Sequence, residues 1–223
     1  VKEFGVVYIH SGGIWSEICE VSQTTLPKGT EITVLRVANH EESLRVRLSL
    51  AGDLPYRRTL YLDCDTVYCQ KAFPEWLTQK LIPTGITMSA WRVTNQVWSW
   101  PSSWAGEFCS IEELVRLPHW FRTPNAGLML LESHCDPMLT RWRESWQSLA
   151  TPLIEPAYAD AFANLPQQFD LLPADFHVPS TNVGQDFIRL PEYHFIHAIV
   201  PTHRKIDEMF RVLTEADQCH AMK

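Results

Sequence analysis

The feature that most constrains this chain is the alternation at its start. Phe4 to Ile9 is a short apolar run rich in β-branched and aromatic residues, closed by Ser11-Gly12-Gly13. Ile14 to Leu26 follows with Ile14, Ile18, Val21 and Thr25 at helical spacing, and Glu31 to Val37 is a second β-branched run. Strand, helix and strand in that order predict an α/β domain with a mainly parallel central sheet flanked by helices. Glu41 to Leu50 reads as another helix, broken by Asp53-Leu54-Pro55-Tyr56 before a third strand, Thr59 to Leu62, that runs straight into Asp63-Cys64-Asp65.

That ending carries chemistry. In an open α/β sheet ligands bind outside the carboxyl ends of the strands. Two acids one residue apart at such a place repel each other unless a cation or hydrogen-bond donors compensate, and a hard divalent ion with oxygen ligands does so while neutralising a diphosphate. The bland alternative has Asp63 capping the next helix and Asp65 facing water. The apolar strand in front and the strand–helix–strand unit upstream weigh against it.

Further along, Phe73 to Leu81 predicts a short helix with Pro74 in its first turn, and Ile86 to Trp91 and Ala126 to Leu131 predict strands. Asp136 to Leu149 reads as a helix with Pro137 at its first position, Ile111 to Leu117 as a helix opened by a Ser110/Glu113 capping box, and Tyr158 to Leu165 as one more. Phe169 to Leu172 reads as a short strand and Pro173 to Tyr193 as loop-rich. In Arg204 to Ala216, Ile206, Met209, Phe210 and Leu213 stand at i, i+3, i+4 and i+7, the stripe of an amphipathic helix docked on the core.

Composition narrows the class. A length of 223 residues suits one domain, and no apolar stretch approaches the roughly 18–20 residues of a membrane-spanning helix. The N-terminus shows no charged leader followed by an apolar core. With a net charge of −7, an electrostatic grip on nucleic acid is a poor expectation. The six cysteines (Cys19, Cys64, Cys69, Cys109, Cys135, Cys219) form no CxxC pair or zinc spacing, and so read as reduced thiols of a cytoplasmic protein.

The motifs together resemble nucleotide-sugar glycosyltransferases of the GT-A fold, most closely glycosyltransferase family 8 and its relatives. Leu54 to Thr66 is similar to their strand leading into the DxD motif, and Thr123-Pro124-Asn125-Ala126-Gly127 with its apolar strand to their second signature. Glu155-Pro156-Ala157 through Ala163 resembles the helix that follows, and Phe195-Ile196-His197 the C-terminal strand whose His completes a metal site. Ile154 departs from the pattern, since many members carry Asp there.

The resemblance implies a single domain over 1–223, with a nucleotide-binding half (1–90) and an acceptor-binding half ending in the C-terminal helix (91–223). It implies transfer of a sugar, with retention, from a nucleotide-diphosphate donor, expected to be UDP-linked, to an unidentified glycan, lipid or protein acceptor. Asp63, Asp65 and His197 would hold Mn2+ or Mg2+, with His194 the rival of His197. Tyr8, Ile9, His10 and Ser11 would line the nucleotide, and Arg47, or failing it Arg45, would face the donor phosphates. Cys64 would lie on the donor between the two acids. Asn125, Ala126 and Gly127 would approach the transferred sugar, and Glu155, then Asp160, are the carboxylates expected to face the reacting carbon.

Nine tryptophans are many for this length, and Trp91, Trp98, Trp100, Trp104 and Trp120 crowd one stretch. Large aromatics are most often core. Trp98, Trp100 and Trp104, however, are interleaved with Ser and Pro on no regular period, which suits a loop offering flat indole faces to the C–H faces of an acceptor sugar. Two other readings stay open. Asp63-Cys64-Asp65-Thr66-Val67 also fits the aspartate nucleophile of haloacid-dehalogenase-like phosphatases, although those place it on the first strand and need a later paired acid motif. A degenerate transferase would bind nucleotide or glycan without turnover.

Overall fold

The computed structural model describes residues 2–79, 85–91, 123–149, 170–171, 177–180, 193–198 and 200–221. Its central sheet has the order β2-β1-β3-β6-β5-β7, built from β1 (Lys2–His10), β2 (Ile32–Arg36), β3 (Tyr56–Leu62), β5 (Ile86–Trp91), β6 (Thr123–Glu132) and β7 (Asp170–Leu171). β1 pairs in parallel with β2 and with β3, as the opening alternation requires. The sheet is mixed: β1–β2, β1–β3 and β5–β7 pair in parallel, as expected, and β6 runs antiparallel to both its neighbours, β3 and β5. Strand direction follows from how the chain re-enters the sheet, which no local apolar run encodes.

Side chains alternate across the sheet, and both faces are covered, so the central strands show no polar side. Val6, Tyr8, Leu60 and Leu62 point to one face, under α1 (Ile14–Thr25) and α5 (Lys205–Ala221). Val7, Ile9 and Tyr61 point to the other, where α2 (His40–Arg47) supplies Leu44 and α4 (Asp136–Leu149) supplies Leu139, Trp142 and Trp146. α2 starts at an Asn39 cap whose side chain accepts from the Glu42 amide at 2.9 Å. Its last residue, Arg47, is buried. A 3-10 turn over Leu50–Asp53 then leads into β3, and α3 is the short Glu75–Gln79.

A second, three-stranded sheet has the order β4-β9-β8, from β4 (Thr66–Tyr68), β9 (Phe195–His197) and β8 (His177–Pro179). β8 falls in a region expected to be loop. β4 begins one residue after Asp65 and is antiparallel to β9, with Thr66 opposite His197. The amide of Ala198 donates to the Asp65 carbonyl at 2.8 Å. The two sheets are therefore stitched together at the two acids.

α5 docks on the core by most of its expected stripe, with Phe210 the exception. Lys205, Met209, Val212 and Ala216 are buried, Ile206 and Leu213 pack partly against the same cluster, and Phe210 is 53% exposed. Lys205, at the helix start, is tied by its amine to Asp65. The helices expected over 111–117 and 158–165 lie outside the described residues. Among those described, no helix is long and apolar enough to cross a membrane.

Candidate functional site

The end of β3 and the start of β6 meet because the strands are antiparallel: Leu62 faces Leu128, and the Asp63 amide donates to the Gly127 carbonyl at 2.7 Å. β6 also carries a register shift against β5, where Met88 faces Met129 but Ser89 faces Asn125. Ala126, Gly127 and Leu128 thus have no partner on β5, a bulge of the kind that re-aims residues beside active sites. Asn125 is fixed in turn, its Oδ1 accepting from the Gly127 amide at 2.8 Å.

Asp63 and Asp65 differ in their partners. Asp63 Oδ1 accepts from Arg47 at 2.6 Å and from the Tyr61 hydroxyl at 2.6 Å, while the Arg47 guanidinium lies 4.6 Å from the centre of the Tyr61 ring. Arg47 also reaches the Ala126 carbonyl at 3.4 Å. These contacts leave Asp63 Oδ2 facing the space over Gly127. Asp65 is buried, with Oδ1 2.9 Å from His197 Nε2 and Oδ2 paired with Lys205. Burial alone would push the Asp65 carboxyl up, but His197 and Lys205 together outweigh it and hold it well below the usual range. For His197, burial pulls the imidazole down, and the facing Asp65 and Asp63 raise it above its ordinary value.

A Cβ built on Gly127 would lie 2.7 Å from Asp63 Oδ2, 2.7 Å from Asn125 Oδ1 and 3.0 Å from His197 Cε1. Three polar side chains therefore converge on a space that only glycine leaves open. Ligand atoms of Asp63, Asp65 and His197 all lie within 4.8 Å of one another. Two carboxylates and an imidazole form a donor set that suits a hard or borderline divalent ion, so these residues fit such a group.

The other sequence candidates sort by position. Arg47, not Arg45, meets Asp63; Arg45 is exposed and pairs with Glu41. His197, not His194, joins the acids; His194 stands beside Tyr68, 6.5 Å between ring centres. The side chains of Tyr8 and Ile9 are core rather than lining, the Tyr8 hydroxyl lying 2.9 Å from Ser22 Oγ. The Cys64 side chain likewise turns into the core, its Sγ 3.5 Å from the Ile9 carbonyl. His10 and Ser11 remain at the strand end, where His10 Nδ1 accepts from the Gly12 amide at 3.0 Å. Trp98, Trp100, Trp104, Glu155 and Asp160 lie outside the described residues.

Sequence reasoning missed Tyr61 and Lys205. Tyr61 could have been found from alternation, since residues 61 and 63 share a face of β3. Lys205 gave one faint signal, a lysine at a helix start, against the dipole.

No protein-family sequence model matches this chain, and no curated protein matches it by sequence. Solved structures do match in three dimensions. A glycosyltransferase involved in glycosylation of the major capsid of PBCV-1 is 10% identical, with 93% of this chain and 98% of that one covered and a TM-score of 0.62. The galactosyltransferase LgtC, solved with donor and acceptor sugar analogues, is 12% identical over 93% of this chain and 95% of that one, with a TM-score of 0.59. Mouse xyloside xylosyltransferase 1 is 10% identical over 89% and 99%, with a TM-score of 0.53. At such identities the likeness is one of fold. The chain has the GT-A glycosyltransferase fold, with an acid, acid and histidine group at the junction of its two sheets that could hold a metal ion.

Proposed function

We propose that this protein is a metal-dependent glycosyltransferase that moves a sugar, with retention, from a nucleotide-diphosphate donor of the UDP type to an acceptor. The observation that carries the reading is the convergence of Asp63, Asp65, His197 and Asn125 over Gly127, at the carboxyl end of β3 in a GT-A fold. Asp63, Asp65 and His197 would hold Mn2+ or Mg2+. That ion would supply positive charge to the leaving diphosphate, a stabilisation worth most in the transition state.

The chain's own residues prepare the site. Arg47 and Tyr61 orient Asp63 through one oxygen, so that the other is presented to the cleft. Asn125 is held by the Gly127 amide with its side chain beside the same space, placed to hydrogen-bond a sugar hydroxyl. His10 and Ser11 would border the nucleotide, Glu155 and then Asp160 would face the reacting carbon, and Trp98, Trp100 and Trp104 would meet the acceptor. A haloacid-dehalogenase nucleophile is a poorer account of Asp63, since those enzymes carry it after the first strand and here it follows β3.

Thermal unfolding in the presence of nucleoside diphosphates and nucleotide sugars, with and without Mn2+, tests the reading. At roughly a hundredfold excess over Kd, a ligand bound by the native state alone adds about 2.7 kcal/mol, or about 5–10 °C in Tm for a chain of this size. UDP with Mn2+ should give that shift, and Asp63→Asn should abolish it. Absence of any Mn2+-dependent nucleotide shift overturns the proposal.

A further inference from the structure

Lys205 is the first residue of α5 and is buried. Its Nζ donates to Asp65 Oδ2 and to the Ala198 carbonyl at 2.8 Å, and stands 5.8 Å from the Trp15 ring centre. A buried amine is costly unless it is paired, and a lysine in the first helical turn opposes the helix dipole, so tertiary contacts hold it there. Each acid already faces a cationic side chain without a metal. Asp63 is faced by Arg47 and Asp65 by Lys205, with His197 on the remaining Asp65 oxygen. A divalent ion brings two more positive charges to the same carboxylate, where at short range and low effective dielectric the ammonium and the ion repel strongly.

We propose that Lys205 is a built-in counter-ion of Asp65 that competes with the divalent ion: the ammonium holds the carboxylate when the ion is absent and gives it up when the ion binds. The inference rests on the reading of Asp63, Asp65 and His197 as the metal group. Metal affinity in this chain is then set by the charge at position 205, and metal entry releases the start of α5 from the site.

The test measures Mn2+ affinity without nucleotide, by calorimetry and by the spin-resonance signal of free Mn2+. Lys205→Gln keeps a hydrogen-bond donor for Asp65 and removes the charge, and should bind Mn2+ about tenfold or more tightly than the native chain. Lys205→Arg keeps the charge and should show no such gain, a pattern that loss of packing would not produce. Native protein provides a second readout, since acylation of the Lys205 amine, followed by peptide mass spectrometry, should rise when Mn2+ saturates the site. Equal affinities of the native chain and Lys205→Gln, or Lys205 acylation unchanged at saturating Mn2+, overturn the competition and leave the metal group standing. No Mn2+ binding by either chain overturns the competition, and if UDP with Mn2+ also gives no thermal shift the metal group falls with it.

Discussion

The Asp63 amide and the Gly127 carbonyl share a 2.7 Å hydrogen bond, and across that bond the Gly127 Cα faces the Asp63 carboxylate with no room for a methyl group. Gly127→Ala should therefore displace Asp63 Oδ2, Asn125 or His197. The expected outcome is loss of Mn2+-dependent nucleotide binding with a stability cost of about 1–3 kcal/mol, the usual range for overpacking. Thermal shift with UDP and Mn2+, beside urea unfolding, separates the two effects. Native-like binding in this variant would show that the space is not used.

Arg47 and Tyr61 act on one oxygen of Asp63, so their removal should not be additive. Arg47→Met breaks a pair whose Arg side chain is 8% and whose Asp side chain is 24% exposed. We expect a loss of about 2–3 kcal/mol, below the 3–5 of a fully buried pair. Tyr61→Phe should cost about 1 kcal/mol. A double-mutant cycle in urea that returned strict additivity would refute the shared-oxygen arrangement.

On α5, Arg211 forks between Glu208, at 2.8 and 2.9 Å, and Glu215. The Arg211 contact outweighs burial and, with a hydrogen bond from Ser180, holds the Glu208 carboxyl below its ordinary value of 4.5. A carboxyl lowered on folding contributes stability above its unfolded value and loses it as pH falls through the folded one. Glu208→Gln should cost about 0.5–1 kcal/mol at neutral pH, since Arg211 is partly exposed, and progressively less as pH falls below 4.5 through the lowered folded value. Urea midpoints of both proteins across that range give the answer, and a gap that did not close in acid would contradict it.

Burial pushes the thiols of Cys69 and Cys135 up to about 12, so at pH 8 only about one in ten thousand of each is thiolate. Cys64 is also raised, first by its contact with Cys19 and then by burial. Peptides carrying Cys64, Cys69 and Cys135 should stay free of iodoacetamide in native protein and react in urea. Native labelling of Cys64 at the urea rate would show that the segment between the acids is open.

What was legible in the sequence was local. The apolar run ending in Asp63-Cys64-Asp65, the strand behind Asn125-Ala126-Gly127 and the strand ending in His197 each announce themselves within a few residues. What was not legible depends on distant partners. The reversed direction of β6 comes from topology, and the burial of Tyr8 and Cys64 from which side of a strand meets α1. Lys205 reaches Asp65 across 140 residues, a pairing that no local pattern encodes.

Trp91 and Thr123 face each other across the β5 and β6 ladder. The chain from 92 to 122 therefore leaves and rejoins the sheet at one rung, and Thr123 stands two residues before Asn125. An insert closed by a finished ladder is thermodynamically tolerant, since each doubling of its length costs only about 0.6 kcal/mol. Changes of length between Trp91 and Thr123 are therefore expected to cost less than changes within the strands that carry Gly127 and His197.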